Sequence, residues 1–339
     1  MIGGRRAVLI ALAAALPLAL LIAVSAGTVP LPAAGVLGSL LRAVGVDLGG
    51  ELPPVSETIL WAVRLPRVLL AAVVGGGLAV VGATLQSVFR NPLADSGLLG
   101  VGAGAALGAV AAVRLGWAGS TFLALPAAAF VGAMAAVLVL YGLSQTLGGG
   151  TVYGLLLTGI SVSALAAAGT SMLLVATEEF RVKTVLFWLA GGLDGRGWVH
   201  LRVAGLVVLA GCLGLFALSR ILDVLSLGDE EAAALGLRVH GSRLVLLGLA
   251  ALVAGASTAA AGAVPFVGLV APHALRPVAG SLGRHLLPAA FLGGALLVVF
   301  ADLAARVVSD RMDLPLGSLT AFVGAPYFLF ALRKAEGRR

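Results

Sequence analysis

Charged residues are scarce in this chain, making up 11% of its 339 residues. Soluble globular domains carry about 25% charged residues, so an ordinary soluble domain is excluded. Cysteine occurs once, as Cys212 inside an apolar run, which excludes a disulfide framework and a cysteine-ligated metal cluster. We therefore expect Cys212 to be a packing residue.

Motifs of common catalytic chemistries are also missing. Neither lysine, Lys183 or Lys334, follows glycine, so there is no Gly-Lys-Ser/Thr phosphate loop and the chain cannot hydrolyse ATP by itself. Neither an HExxH zinc motif nor a Gly-x-Ser-x-Gly nucleophile elbow occurs. These absences predict a non-catalytic protein that binds no cofactor and no metal ion.

Apolar residues, in contrast, make up 60% of the chain, with a mean hydropathy of +1.11 and 48 glycines. Runs long enough for a bilayer, and small residues that let helices approach closely, predict a single all-α polytopic membrane domain over 1–339. About ten membrane helices are expected. They lie near 7–26, 66–88, 95–113, 121–142, 153–175, 198–219, 243–263, 265–278, 286–308 and 316–332.

The first of these runs could also be a removed signal peptide, but a retained helix is favoured because further hydrophobic segments follow. The eighth run is short and contains Pro272, which predicts a broken or half-length helix. The formal net charge of +7 would suggest nucleic acid in a soluble protein. Here the arginines sit at segment ends, where they meet lipid headgroups, so no nucleic-acid partner is expected.

An even number of helices puts both termini on one side, and the basic residues at both ends indicate that this side is the cytoplasm. Three segments between the helices are more polar. Residues 28–65 contain four prolines and predict an outer loop, and residues 176–197 predict a short outer helix and loop. Residues 220–242 place acidic groups at a helix start and predict an inner surface element where a soluble partner could dock.

Three stretches together resemble the FecCD-type permeases, the transmembrane subunits of type II ABC importers for iron-siderophores, haem and cobalamin. They cover essentially the whole chain in the right order. They are Arg64-Leu-Pro-Arg67 through Asn91-Pro-Leu-Ala-Asp95 to Gly100; Gly262-Ala-Val-Pro-Phe through Pro272-His273 to Arg276; and Asp302 to Arg306 with Asp313-Leu-Pro-Leu-Gly317 and Thr320 to Pro326.

The resemblance implies a multi-pass protein of the bacterial inner membrane that works as a homodimer by alternating access. Its other partners would be two ABC ATPase subunits, which carry the ATP and Mg²⁺, and a periplasmic substrate-binding protein. It also implies a cytoplasmic coupling segment at 223–240. The residues expected to act there are Gly228 and Gly236, which would frame short helices, and Asp229, Glu230 and Glu231, which would face the ATPase.

The resemblance further implies that Arg64 and Arg306 bind glutamates of the substrate-binding protein, for which exposed guanidinium groups are suited. Snorkelling to the membrane interface is the alternative role. The turn at Asn91 and Leu93 would form a cytoplasmic gate. A second gate would lie at Thr151-Val-Tyr153, where the sequence departs from the small polar pair of the cobalamin permeases.

The cargo stays open among siderophores, haem and cobalamin, although Arg181, Lys183 and Arg196 could suit an anionic ligand. Asp313 replaces the glutamate common before Leu-Pro-x-Gly, with little expected change. One rival function is a self-sufficient ion-coupled transporter using Asp302. Arg306 lies four residues further on, the spacing of a helical ion pair, which would make Asp302 a poor proton carrier. A polytopic membrane enzyme is a second rival, for which no catalytic cluster is found.

Overall fold

The computed structural model describes residues 2–47, 49–146, 152–308 and 314–336, and the regular structure within these ranges is helical. The α-helices are α1 (Ile2–Ser25), α2 (Ala33–Ala43), α3 (Pro54–Thr58), α4 (Leu65–Val88), α5 (Val101–Arg114), α6 (Ala124–Thr146), α7 (Val152–Val175), α8 (Glu179–Leu189), α9 (Trp198–Ala217), α10 (Ser219–Leu225), α11 (Asp229–Ala234), α12 (Val239–Ala261), α13 (Val267–Ala279), α14 (Gly283–Val307) and α15 (Leu316–Glu336). The predicted all-α class is confirmed.

Seven helical stretches of the described ranges are long and apolar enough to cross a membrane. They are Gly4–Ser25, Pro54–Val88, Ala124–Thr146, Tyr153–Val175, Trp198–Ala217, Val239–Ala261 and Gly283–Val307. Each of the ten predicted runs contains a helix, but α5 with 14 residues and α13 with 13 residues are shorter than the span of about 20 that a bilayer requires. The number of crossings and the cytoplasmic termini therefore stay predictions.

The helix α4 is the centre of the bundle and packs against α9, α12, α13 and α14. Glycines make these contacts close. A Cβ atom added to Gly75 would lie 2.7 Å from the Cβ of Val298 in α14, and one added to Gly82 would overlap the backbone of Gly268 in α13. Close backbone approach is how helices gain packing energy in lipid, where burying apolar surface gains little.

The prediction that residues 28–65 form a loop is wrong for much of the segment, since α2, α3 and a π-helical turn at Ile59–Arg64 lie within it. Three of its four prolines stand at helix starts, where the missing N–H group costs nothing: Pro32 precedes α2, Pro53 precedes α3, and Pro54 begins α3. The Trp61 indole N–H donates to the hydroxyl of Ser39 at 2.9 Å, which ties α2 to the long Pro54–Val88 helix.

The two ends of the bundle carry different groups of polar residues. At one end, named the arginine end, the start of α4 meets the C-termini of α1 and α14 around Arg64, Arg67 and Arg306. At the other, named the turn end, the Asn91 turn after α4 lies near α10 and α11, and Asp223 of α10 accepts a hydrogen bond from Gly283 N at the start of α14 at 2.6 Å. The candidate site has parts at both ends.

Candidate coupling and gating site

A buried carboxylate joins two helices at the arginine end. Asp302 of α14 is 1% exposed, and it accepts a hydrogen bond from Arg67 Nε at 3.0 Å on Oδ1 and from Arg306 Nε at 3.0 Å on Oδ2. The predicted Asp302–Arg306 pair is therefore present. Sequence reasoning missed Arg67 as the second partner, because 235 positions separate it from Asp302 and helical spacing cannot reveal such a contact.

The C-terminus of α1 lies on two guanidinium groups of the same cluster. Arg64 and Arg306 donate to the backbone carbonyl oxygens of residues 23–26 at distances of 2.9 to 3.1 Å. The last carbonyl groups of a helix have no partner within the helix and carry partial negative charge, so cations stabilise them. Arg64 also donates to the carbonyl of Val29 in the following segment.

Arg64 is 6% exposed and Arg306 is 7% exposed, so the prediction of exposed guanidinium groups at these positions is wrong. The physical reason is the set of free carbonyl acceptors at the end of α1, together with Asp302, which satisfies the guanidinium groups inside the protein. Binding of Arg64 and Arg306 to a substrate-binding protein stays a prediction.

A cavity of about 580 Å³ opens beside this cluster. Its polar lining includes Arg67, Asp194 and Arg196, and most of its other lining residues are apolar, among them Phe187, Trp188, Leu193, Leu314 and Leu316. Arg67 Nη1 lies 3.5 Å from the exposed Asp194 carboxylate. Burial lowers the pKa of the Arg196 guanidinium, and the neighbouring Asp194 opposes that shift.

The three basic residues considered for an anionic ligand occupy different places. Arg196 lines the cavity, whereas Arg181 and Lys183 belong to α8 and are not among its lining residues. Arg181 pairs with Glu178 at 3.0 Å, and Lys183 is exposed. Only Arg196 therefore offers positive charge to this cavity from the predicted set, and Arg67 adds to it.

The turn after α4 begins at Arg90, whose φ of 49° lies in the left-handed region that residues other than glycine rarely adopt. Asn91 N donates to Gln86 O at 3.1 Å, and Leu93 N donates to the Asn91 side-chain oxygen at 2.9 Å. Leu93 is 45% exposed. Asn91 thus shapes the turn and Leu93 presents its apolar side chain at the surface, and the gating role of both residues stays a prediction.

The structure describes the second predicted gate in part and does not describe Asp313. Thr151 of the second gate lies outside the described residues, while Tyr153 is 76% exposed at the start of α7. Asp313, the acid before Leu-Pro-x-Gly, also lies outside them.

The coupling segment contains the end of α10 and the whole of α11, and Gly228 between them has a φ of 139°. Arg243 of α12 donates to Asp229 at 2.6 Å, and Ala232 is fully buried below them. Asp229 therefore points toward α12, and its predicted contact with an ATPase would involve only the remaining exposed half of the side chain.

The other coupling residues remain at the surface. Glu230 and Glu231 are exposed, and Gly236 has a φ of 81°, a conformation that favours glycine at the end of α11. The Glu231 carboxylate and the Arg90 guanidinium both lie beside Gly228. The coupling segment and the Asn91 turn, which are more than 130 positions apart in the chain, are thus neighbours.

A buried polar contact behind the turn was not expected from the sequence. Gln86 of α4 donates to Gly268 O at 3.2 Å and accepts from Arg276 Nη2 at 2.9 Å, both in α13. It fixes the last turn of α4 to α13. The only available signal was the position of Gln86 within an apolar helix, which singles out a polar residue but not its partners.

Comparison with known proteins finds a matching family model and several similar permeases. A model of the FecCD transport family matches residues 15–334. The cobalamin import system permease protein BtuC of Halobacterium salinarum is 39% identical, with coverage of 93% of this chain and 82% of the relative. The hemin transport system permease protein HmuU of Yersinia pestis is 40% identical, with coverage of 82% of this chain and 84% of the relative.

The Fe(3+) dicitrate transport system permease protein FecD of Escherichia coli is 41% identical, with coverage of 81% of this chain and 85% of the relative. Among solved structures, an inward-facing conformation of a metal-chelate type ABC transporter aligns with a TM-score of 0.85 and 28% identity. That alignment covers 97% of this chain and 99% of the other.

Proposed function

Since the chain belongs to the FecCD transport family, we propose that it is the membrane-spanning permease subunit of an ABC importer, located in the cytoplasmic membrane and acting as a homodimer. In this proposal the turn end faces the cytoplasm and the arginine end faces outward. Two ATPase subunits bind the turn end and supply ATP and Mg²⁺, and a substrate-binding protein delivers cargo at the other.

The observation that carries the proposal is the contact between the coupling segment and the Asn91 turn. A partner that moves Gly228 and the exposed acids of α11 would act directly on the residues that close the pathway. Alternating access needs such a connection, because the ATPase binds at the coupling segment whereas the pathway closes at the Asn91 turn. Binding at the first place must therefore change the relative stability of the outward and inward states at the second.

For the cargo we propose a metal chelate or a corrinoid of the kind named for the relatives: cobalamin, hemin or ferric citrate. The cavity at the arginine end supports this range, because it combines a large apolar lining with two guanidinium groups. Apolar walls suit a bulky ring system, and guanidinium groups suit the carboxylates that ferric citrate and haem carry.

We further propose that Arg64 and Arg306 contribute to docking of the substrate-binding protein indirectly. Both are buried, and both hold the end of α1 and the segment after it. Arg64→Glu would release this surface from its support. Weaker docking in a pull-down, with an intact permease–ATPase complex, would support the role, and unchanged docking would count against it.

An ion-coupled transporter using Asp302 is the alternative function. The surroundings of Asp302 disfavour it, because neutralising the carboxylate in each cycle would remove the buried negative charge that Arg67 and Arg306 share.

The proposed function is tested by asking whether a neighbouring reading frame encodes an ABC ATPase and by purifying the chain together with that ATPase. We expect a stable complex whose ATP hydrolysis rises when a loaded substrate-binding protein is added, with each candidate chelate tested in turn. Failure of the chain to bind any such ATPase would refute the proposal. Equal stimulation by loaded and empty binding protein would refute the role in import.

A further inference from the structure

Arg90 stands at the junction between α4 and the Asn91 turn. Its side chain is exposed, and its Nη1 atom lies 3.2 Å from the position that a Cβ atom would take on Gly228. Its backbone has a left-handed φ of 49°, so a residue with a side chain is held where glycine would be favoured. A strained backbone conformation of this kind persists only when the surrounding structure holds it in place. The groups near the Arg90 guanidinium are part of that surrounding structure.

The carboxylate beside it belongs to Glu231. Its Oε2 atom borders the same position on Gly228, so the acid and the guanidinium share one space at the start of α11. They stand side by side without an ion pair between them. Asp229 is already held by Arg243 at 2.6 Å, which leaves Glu231 as the acid next to Arg90. Gly228 has no side chain to separate the two charges.

The backbone beyond Arg90 is held by hydrogen bonds. Asn91 N is bonded to the last turn of α4, and Leu93 N is bonded to the Asn91 side chain. Gln86, one turn earlier, is fixed to α13. A displacement of the Arg90 side chain would therefore act on a turn whose backbone is held by hydrogen bonds on both sides.

We propose that Arg90 and Glu231 form the electrostatic link through which the coupling segment moves the Asn91–Leu93 turn. The link closes when α11 shifts toward the turn and opens when it shifts away. Glu231, which the ATPase would move together with the rest of α11, then acts on Arg90 within the chain. The inference rests on the proposed function and names two positioning residues for it.

The test is a charge-exchange cycle in vesicles that contain the permease, its ATPase and loaded binding protein. Arg90→Glu and Glu231→Arg each place like charges together, and each should lower the number of cargo molecules moved per ATP about five-fold, the factor that corresponds to a pair worth about 1 kcal/mol. The readout is the ratio of cargo moved to ATP hydrolysed, so a change in ATP turnover alone does not count as a loss of coupling. The double variant R90E/E231R should recover most of the loss.

The matched control combines Arg90→Glu with Glu230→Arg, which has the same net charge as the double variant and changes the neighbouring exposed acid. It should stay uncoupled. Recovery with Glu230→Arg equal to that with Glu231→Arg would overturn the specific pairing. So would single variants that move as much cargo per ATP as the wild type.

Should a reversed charge prevent folding, Arg90→Gln and Glu231→Gln give a milder cycle. Each should lose a similar part of the coupling, and the double variant should be no worse than either one. Additive losses would overturn the link. If the wild type itself shows no ATP-driven uptake, the proposed function fails and the link fails with it. If the wild type transports and the cycles show no interaction, only the link fails.

Discussion

Removal of the Asp302 carboxylate is the perturbation whose effect can be worked out most directly from the structure. Asp302→Ala takes the counter-charge from Arg67 and Arg306, which are 9% and 7% exposed. Breaking a buried ion pair by deleting one partner costs about 3–5 kcal/mol, since the remaining charge stays buried and unpaired. Here both guanidinium groups lose a buried carboxylate but keep other contacts, Arg67 with Asp194 and Arg306 with carbonyl groups of α1, so we expect a loss near the lower end of this range.

Arg67 also provides the control, because a second carboxylate lies near it. Asp194 also lies near Arg67, at 3.5 Å, but its side chain is 84% exposed. Exposed pairs contribute about 0–1 kcal/mol, so Asp194→Ala should change stability little. Both variants lose a carboxylate next to Arg67, and Asp302 also contacts Arg306, so the difference between the variants reports the burial of Asp302 together with this second contact.

The assay is reversible unfolding in detergent micelles by titration with a denaturing detergent, which gives the free energy of unfolding of each variant. Asp302→Asn adds a further comparison, because it keeps the shape and removes the charge, and most of the loss should remain. The reasoning would be refuted by an Asp302→Ala variant within about 1 kcal/mol of the wild type, or by equal losses at positions 302 and 194.

Three further outcomes are expected. Gly82→Ala should destabilise the protein by about 1–3 kcal/mol or more, because the added methyl group would overlap the backbone of α13. Gly102→Ala has open space around it and should be neutral or stabilising by up to about 1 kcal/mol in the same titration. The opposite order of stabilities would contradict the packing. Cys212, 1% exposed, should resist maleimide until the protein is unfolded, and rapid labelling of the native protein would contradict its burial. Arg243→Ala should release Asp229 at a cost of about 1–2 kcal/mol and speed proteolysis within 223–240, and an unchanged cleavage rate would argue against that contact.

The helical segments could be predicted because lipid imposes one simple demand, a long apolar run, and the sequence displays it directly. The exceptions have local causes. Residues 28–65 were predicted as a loop because prolines end helices more visibly than they start them, and Pro54 begins one. The short α5 and α13 show why counting apolar runs does not by itself give the number of crossings.

The site was predictable where its geometry is local. The Asp302–Arg306 pair follows from helical spacing, and the Asn91 turn follows from the proline after it. The burial of Arg64 was not predictable, because its acceptors are carbonyl groups at the end of another helix. Contacts across long separations, such as Arg67 with Asp302 and Arg90 with Gly228, likewise depend on which helices pack together.

The proposed function requires that an ATPase acting at the turn end drives transport through this chain. The direct measurement is the uptake of cargo into vesicles containing the permease, with and without the ATPase, under ATP or under an imposed proton or sodium gradient. We expect uphill uptake only when ATPase, ATP and binding protein are all present. Uphill uptake by the permease alone, driven by an ion gradient, would contradict the account.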